Sequence, residues 1–362
     1  MSAKAPEELI ARHEAFLHCE PVDRPLIGLW FGGYYPADQF PRGTAGWTEG
    51  QPLEPADVHI KGFEADYEML YRLHREVEDD FFYIGCAYWG IPWMEAILGC
   101  PIFAGQGSAW AKPLPQGPRK IEEPSTELDK NAWFRCLLSF TEGLLELADG
   151  RFPVCPPLLR GPGDMASAVL GPVPFVMALM DDAQAAEALL RACADIRLEV
   201  LRRLNAIIPA WHGTHAAGGY PSRLWCRRTV AFNQEDCAAL LNPFLLRGFL
   251  APQDNKMARA ADVNFFHLHS GCLYPVDLLL EGDTYDVIQV NIDAAGTRQP
   301  LTDLLPTFRR VQESGRPLIL WGLLGPEEWA FLREKLSSAG LSLQPMVQRA
   351  AQLPALTRVL LD

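Results

Sequence analysis

Short apolar segments alternate with amphipathic helical patterns along the whole chain. Eight of these segments have the length and the β-branched or aromatic content of strands. They centre near residues 27, 82, 155, 209, 266, 290, 319 and 342. Strands that alternate with helices form parallel sheets, and eight such units are typical of a barrel. The sequence therefore predicts an α/β protein, a single (β/α)8 TIM barrel domain over residues 1–362 with an N-terminal helical extension and loop insertions.

The charge of the chain bears on its partners, and its cysteines bear on the compartment in which it works. The chain has 32 Lys and Arg against 45 Asp and Glu, a net charge of −13, which argues against nucleic acid and anionic membranes as partners. We see neither a transmembrane run nor a signal peptide. The nine cysteines are scattered without a Cys-x-x-Cys pair, which indicates reduced thiols. We therefore expect a cytoplasmic protein that acts on a small molecule, and the sequence leaves open whether it forms a homodimer.

The segment from residue 263 to residue 272 contains the most specific candidate site. His267 and His269 are two residues apart on a predicted strand, so their imidazoles lie on the same face near its carboxyl end. Cys272 follows closely enough for a turn to bring its sulfur to the same place. These three residues are candidate metal ligands, and His269 is also a candidate acid–base catalyst. The alternative is a pair of buried histidines that only make structural hydrogen bonds.

Other candidates follow from the rule that barrel active sites form at the carboxyl ends of the strands. Gln289, Asn291 and Asp293 alternate with apolar residues, so they share one face of their strand and predict either a polar pocket or a structural hydrogen-bond network. The candidate substrate-binding residues at strand ends are Trp30, Tyr34, Tyr35, Tyr88, Trp89, Arg160, His212, Asp293 and Trp321. The aromatic members either line a pocket or belong to the core, and His212 could equally lie on a surface loop. Arg160 either binds a carboxylate or phosphate or pairs with an acidic neighbour.

Several ordered motifs resemble those of the uroporphyrinogen decarboxylase superfamily, which includes corrinoid-linked methyltransferases. The motifs are Glu20-Pro21-Val22-Asp23-Arg24-Pro25, Arg160-Gly161-Pro162, Leu241-Asn242-Pro243, His269-Ser270-Gly271 and Leu320-Trp321-Gly322. The resemblance implies a (β/α)8 barrel and an active site near Asp236, which we take as a second candidate catalytic residue. The alternative for Asp236 is that it caps the helix that follows.

The chain departs from this superfamily at two places. Where the porphyrinogen decarboxylases carry an arginine-rich stretch, this chain has Tyr34 and Tyr35 and the residues around them, which argues against a porphyrin substrate. Where the methyltransferases carry a His-x-Cys zinc motif and a late cysteine, this chain has His269-Ser270-Gly271 and no cysteine after Cys272. A rearranged zinc site from His267, His269, Cys272 and a carboxylate is compatible with the mixed ligands that zinc accepts.

The leading interpretation is therefore a methyltransferase or demethylase component acting on a small aromatic or methylated substrate. Zinc is its candidate cofactor, no cofactor is expected to be bound covalently, and the resemblance implies a corrinoid protein as partner. The first alternative is a metal-free decarboxylase or lyase with His269 or Asp236 as general acid and Arg160 binding a carboxylate. The second is a non-catalytic barrel that only binds its ligand.

Overall fold

A parallel β-sheet holds the residues of interest, in a computed structural model that describes residues 6–114, 128–217, 223–294 and 296–361. The strands are β1 (Leu26–Ile27), β2 (Trp30–Phe31), β3 (Pro52–Leu53), β4 (Ile102–Ala104), β5 (Ala109–Ala111), β6 (His215–Ala217), β7 (Leu224–Cys226), β8 (Val230–Gln234), β9 (Val263–His269), β10 (Val287–Ile292), β11 (Leu318–Gly322) and β12 (Leu341–Val347). Seven of them form one sheet in the order β1-β12-β11-β10-β9-β8, with β2 also paired to β12, and every pair in it is parallel. Two antiparallel sheets, β3-β4-β5 and β6-β7, lie outside it.

Helices connect the strands of the main sheet, as the alternating pattern predicted. The α-helices are α1 (Pro6–Leu17), α2 (Pro36–Gln39), α3 (Ile60–Arg75), α4 (Trp93–Ile97), α5 (Ala132–Ala148), α6 (Pro162–Leu170), α7 (Pro172–Asp181), α8 (Ala183–Ile207), α9 (Pro243–Leu245), α10 (Ala251–Ala258), α11 (Pro275–Glu281), α12 (Leu301–Glu313), α13 (Pro326–Lys335) and α14 (Leu353–Leu360). A π-helical turn (Leu246–Leu250) joins α9 to α10, and 3-10 turns lie at Pro55–Asp57, Leu128–Lys130, Asp236–Leu240 and Ala350–Gln352. Helix α1 is the predicted N-terminal extension.

Strand alternation separates an apolar face of the sheet from a polar one. On β10, Ile288, Val290 and Ile292 pack in the apolar layer that contains Phe308 of α12 and Trp329 of α13. The intervening Gln289 and Asn291 face the other way and are fully buried, which confirms the predicted alternation on this strand. Strand β12 follows the same rule, because Leu341 and Leu343 join that layer while Ser342 and Gln344 do not. The side chains of the polar face are therefore available for a site.

Three of the eight predicted strands are not regular strands in the structure. Residues 80–85 and 152–159 share one parallel bridge, Gly85 with Val154, and prolines at 153, 156 and 157 remove the N–H donors that a longer ladder needs. Residues 207–211 were also predicted as a strand, but α8 extends to Ile207 and a hairpin follows. The strand beside β9 is instead β8, which is not among the eight predicted strands.

Regular pairing among the described residues ends at β1 and β2 on one side of the sheet and at β8 on the other. Single hydrogen bonds continue beyond these strands, from Asp80 N to Ile27 O (2.8 Å) and from Gly161 N to Gln234 O (3.0 Å). The structure is thus an α/β protein with a mostly parallel seven-stranded sheet, consistent with a TIM-like fold. The predicted α/β class with a parallel sheet is confirmed, whereas the closed (β/α)8 barrel stays a prediction.

No single helix in the described part of the chain has both the length and the apolar character to cross a membrane, although α6 and α7, bent by 106° at their junction, meet those criteria as a pair.

Candidate active site

An open cleft lies at the carboxyl ends of β8 and β9. Asp236 follows β8, and His267 and His269 end β9, so the parallel sheet brings all three to one side. The cleft contains about 660 Å³ of empty space, part of it continuous with solvent. Its lining residues are Tyr34, Tyr35, Pro36, Trp89, Ser108, Leu158, Arg160, Gln234, Asp236, His267 and His269.

His267 is the more buried of the two histidines. Its Nδ1 is hydrogen-bonded to the Gln289 side-chain oxygen, an acceptor, so Nδ1 carries the proton and Nε2 has a free lone pair. Burial lowers the pKa of His267 to about 4, an effect to which the neighbouring His269 contributes. A neutral imidazole with a fixed tautomer is the form in which histidine binds a metal.

His269 has a different environment, because carboxylates lie on both sides of its ring. Its Nδ1 lies 2.7 Å from Asp293 Oδ1, and its Nε2 lies 3.8 Å from Asp236 Oδ1. Burial disfavours the imidazolium, but the hydrogen bond to Asp293 and the charge of Asp236 outweigh it and raise the pKa of His269. The His267 and His269 rings stand edge to face, with centroids 4.9 Å apart.

Asp293 is fixed by the turn that follows β9. Its Oδ2 accepts hydrogen bonds from Ser270 Oγ and Gly271 N, both at 3.0 Å, and its own N–H donates to Ser270 Oγ at 2.9 Å. Burial would raise the pKa of Asp293, but the bond to His269 and these donors lower it. Asp293 therefore orients His269 as an ionised carboxylate.

A second group of acidic side chains lies behind Asp236. The Gln234 amide donates to Asp236 Oδ2 (3.0 Å) and to Asp164 Oδ2 (3.4 Å). Burial, reinforced by the charge of Asp236, raises the pKa of Asp164 to about 7. Glu235 accepts from the backbone N–H groups of Gly163 and Asp164 at 2.9 and 2.8 Å, so it caps the start of α6.

Asp164, Glu235 and Cys237 also place potential ligand atoms within 4.8 Å of one another. All three are buried, and the two Glu235 oxygens already accept the helix N–H groups. We interpret this group as the structural support of Asp236 and of the first turn of α6.

Arg160 enters the cleft from the residue before the α6 N-cap. Its Nη1 lies 3.2 Å from Oε1 of Glu95, whose side chain is 1% exposed, whereas the Arg160 side chain is 43% exposed. Glu95 raises the pKa of the guanidinium further. The sequence left two interpretations of Arg160 open. The acidic neighbour is present, since Arg160 pairs with Glu95, and the side chain also lines the cleft, where it could bind a ligand.

The predicted aromatic residues separate into cleft and core positions. Tyr34, Tyr35 and Trp89 line the cleft. Trp321 is buried beneath Tyr34, with ring centroids 6.0 Å apart, and Trp30 is buried in the same cluster. Tyr88 is fully buried and its ring lies 4.8 Å from that of Phe63, which places it in the core.

Two further candidates lie outside the group around His269. His212 is exposed at the start of the β6-β7 hairpin, in a left-handed conformation with φ of 49°, and is not among the cleft residues. Cys272 N donates to the His269 carbonyl at 2.9 Å, but its sulfur is not part of the ligand group around Asp236. A metal-binding role for Cys272 stays a prediction.

Sequence reasoning missed Gln234 and Glu95 as parts of the site. Gln234 ends β8 and pairs with His267 of β9, so its side chain lies on the His267 face, which could have been predicted had residues 230–234 been recognised as a strand. Glu95 lies in the short helix α4, 65 positions before Arg160 in the sequence, and no local pattern links the two.

The residues present fit a metal ion. One atom each from Asp236, His267 and His269 lies within 4.8 Å of the others. The 3.8 Å between His269 Nε2 and Asp236 Oδ1 is somewhat longer than the roughly 3.4 Å that separates two tetrahedral zinc ligands with bonds of about 2.0–2.2 Å, so a small side-chain movement would let both bind one ion. His267 Nδ1 is hydrogen-bonded to Gln289 and His269 Nδ1 to Asp293. Metal-bound histidines usually donate their other ring N–H to an acceptor in this way. Two nitrogens and one carboxylate leave a fourth tetrahedral position for a substrate atom.

Comparison with known proteins adds one finding about the fold. The structure is similar to that of a methyltransferase from Methanosarcina mazei, with a TM-score of 0.64 over 97% of each chain and 15% sequence identity. No family model matches the sequence, and no curated protein matches it significantly. At this identity the likeness shows a shared fold, extending over nearly the entire length of both chains.

Proposed function

We propose that this protein is a zinc-dependent methyltransferase of the uroporphyrinogen decarboxylase superfamily, built on a closed (β/α)8 barrel. The observation that carries the proposal is the group of Asp236, His267 and His269, whose ligand atoms converge in an open cleft at the carboxyl ends of the strands. The methyltransferase fold of the M. mazei protein supports it.

In this proposal the chain's own residues prepare a thiol as methyl acceptor. Asp236, His267 and His269 would hold the zinc, with Gln289 and Asp293 keeping the two imidazoles in the tautomer that presents Nε2. Bound zinc lowers the pKa of a coordinated thiol, so that it is a thiolate at neutral pH. Tyr34 and Trp89 would flank the reacting groups at the wall of the cleft.

The transfer itself exchanges one bond for another. The thiol loses its proton to solvent, the sulfur forms a bond to the methyl carbon, and the bond from that carbon to the donor breaks with its electron pair remaining on the donor. A corrinoid protein is the proposed donor, by resemblance to the corrinoid-linked methyltransferases.

The test uses zinc-loaded protein, free methylcobalamin as the methyl donor and 2-mercaptoethanol as the acceptor. We expect the absorbance of methylcobalamin to change as the methyl group leaves, and His269→Ala to slow that change by about a hundredfold or more, as expected when a metal ligand is lost. His18→Ala, at an exposed residue of the N-terminal segment, is the matched control. No transfer by the wild type, or equal rates in wild type and His269→Ala, would contradict the proposal.

A second candidate, a metal-free lyase, is favoured by one observation. The raised pKa of His269, with Asp293 behind the ring, is what a general acid near neutral pH requires. Turnover of a carboxylate substrate with release of carbon dioxide by metal-free protein would select this candidate over the first.

A further inference from the structure

One cationic side chain enters the cleft. Among the described residues that line it, Arg160 alone is a lysine or arginine. Its partner Glu95 is buried beneath it, so the ion pair fixes one end of the guanidinium from below while 43% of the side chain stays exposed. Arg160 is therefore both anchored and accessible.

Two arginines elsewhere in the described part of the chain direct their donors to acceptors within the protein. Arg197 donates to the carbonyls of Leu159 and Phe232, and Arg24 binds both carboxylate oxygens of Asp80. Arg160 has no acceptor besides Glu95 within residues 6–114, 128–217, 223–294 and 296–361. A guanidinium presents five N–H donors, so most of those on Arg160 remain for a ligand.

The N-terminus of α6, directly after Arg160, does not compete for an anion. Its N–H groups at Gly163 and Asp164 already donate to Glu235. Among the described residues that line the cleft, Arg160 is thus the cationic group beside the Asp236 carboxylate, and its planar fork matches a carboxylate of the ligand.

The walls of the cleft are aromatic. The Tyr34 and Tyr35 rings meet edge to face with centroids 5.3 Å apart, and Tyr34 stacks on the buried Trp321. The Trp89 indole N–H donates to Gln39 Oε1 at 3.2 Å, which fixes the ring at the wall. Fixed aromatic faces favour a flat apolar body in the ligand.

We propose that the cleft binds an aromatic carboxylate, with Arg160 binding the carboxylate and Tyr34, Tyr35 and Trp89 contacting the ring. The ring would then lie between Arg160 and the Asp236, His267 and His269 group, which line the same cleft. For the proposed function this names the substrate class as an aromatic carboxylate that carries the acceptor thiol, and the inference rests on the proposed function for the reaction. The binding preference itself depends on Arg160 and the aromatic walls, so it can be tested without a metal.

The test measures binding of benzoate, benzamide and acetate to metal-free full-length protein by ligand-observed NMR or calorimetry. We expect benzoate to bind about tenfold or more tightly than benzamide, because a hydrogen bond from the guanidinium to a charged carboxylate is stronger than one to a neutral amide. Acetate is expected to bind more weakly than benzoate by a similar factor. Benzamide binding as tightly as benzoate would overturn the role of the carboxylate, and acetate binding as tightly would overturn that of the ring.

Two variants assign the preference to Arg160. Arg160→Met is expected to abolish the difference between benzoate and benzamide, and Arg160→Lys to keep part of it. Arg247→Met removes an exposed arginine paired with Glu281 and should change nothing. An unchanged preference in Arg160→Met would overturn the proposal. Zinc binding with no benzoate preference would overturn this inference alone, whereas benzoate preference without zinc binding would overturn the proposed function alone.

Discussion

His269 Nδ1 lies 2.7 Å from Asp293 Oδ1, while Asp293 Oδ2 accepts hydrogen bonds from Ser270 and Gly271. The turn after β9 therefore fixes the Asp293 carboxylate, and this carboxylate orients the His269 ring at the end of β9. This pair fixes the direction of His269 Nε2, the atom that faces Asp236.

Asp293→Asn is expected to weaken zinc binding by about ten- to a hundredfold, the usual cost of losing the carboxylate that orients a metal-bound histidine. The measurement is competition for zinc with a chelator of known affinity. Asp283→Asn, at an exposed residue ahead of β10, is the control. Equal zinc affinity in Asp293→Asn and the control would show that Asp293 does not support zinc binding by His269.

Gly161→Ala is expected to disturb both the start of α6 and the cleft. A Cβ at this position would lie 2.1 Å from the Gln234 carbonyl oxygen and 2.4 Å from Glu235 Oε1, so the backbone must shift. Since Arg160 precedes Gly161 and Asp236 follows Glu235, benzoate and zinc affinities should both fall. Gly46→Ala, where a Cβ meets no atom within 4 Å, is the matched control, and equal affinities in the two variants would count against this packing.

The buried carboxylate of Asp80 anchors β1. It binds Arg24 through both oxygens and accepts from Ile27 N at 2.9 Å. Asp80→Asn leaves the Arg24 charge without its partner, so we expect the free energy of unfolding to fall by about 3 kcal/mol or more, measured by urea denaturation. Asp23→Asn breaks an exposed pair with Arg12 and should cost less than about 1 kcal/mol. Similar losses of unfolding free energy in both variants would show that Asp80 does not anchor β1.

His13 makes stability depend on pH. Burial lowers its pKa from 6.5 to about 4, although the hydrogen bond to the Asp80 carbonyl opposes the shift. Between these two values the unfolded chain binds a proton that the folded chain does not, so its contribution is present above pH 6.5 and is lost as the pH falls towards 4. Going from pH 7 to pH 5 should cost about 2 kcal/mol from this residue.

The measurement for His13 is the free energy of unfolding in urea at pH 7 and pH 5. His13→Gln should lose less stability over this interval than the wild type, whereas His18→Gln, at an exposed position, should lose as much as the wild type. A wild-type loss equal to that of His13→Gln would show that His13 carries no such linkage.

The sequence predicted those parts of the fold that local patterns determine. Alternation on β9 and β10 was sufficient to identify the shared faces of His267 with His269 and of Gln289 with Asn291. The prediction of regular strands was wrong at residues 80–85, 152–159 and 207–211. Prolines in the second range and the extension of α8 into the third override the apolar pattern. Tyr88 and Trp321 lie in the core because an aromatic residue near a strand end has the same local pattern whether it faces a cleft or the interior.

Contacts distant in sequence were beyond the reach of local patterns. The pairing of Arg160 with Glu95 and the bridge of Gln234 between Asp236 and Asp164 depend on how whole elements pack. A single domain over residues 1–362 and a cytoplasmic location stay predictions.

Asp236, His267 and His269 are proposed to hold a metal ion. The most direct measurement is the zinc content of untagged protein purified without chelators, by elemental analysis, for the wild type and His269→Ala, with His18→Ala as control. We predict close to one zinc per chain in the wild type and the control, and little in His269→Ala. Zinc-free wild-type protein that also fails to bind added zinc, or zinc that persists in His269→Ala, would contradict the account.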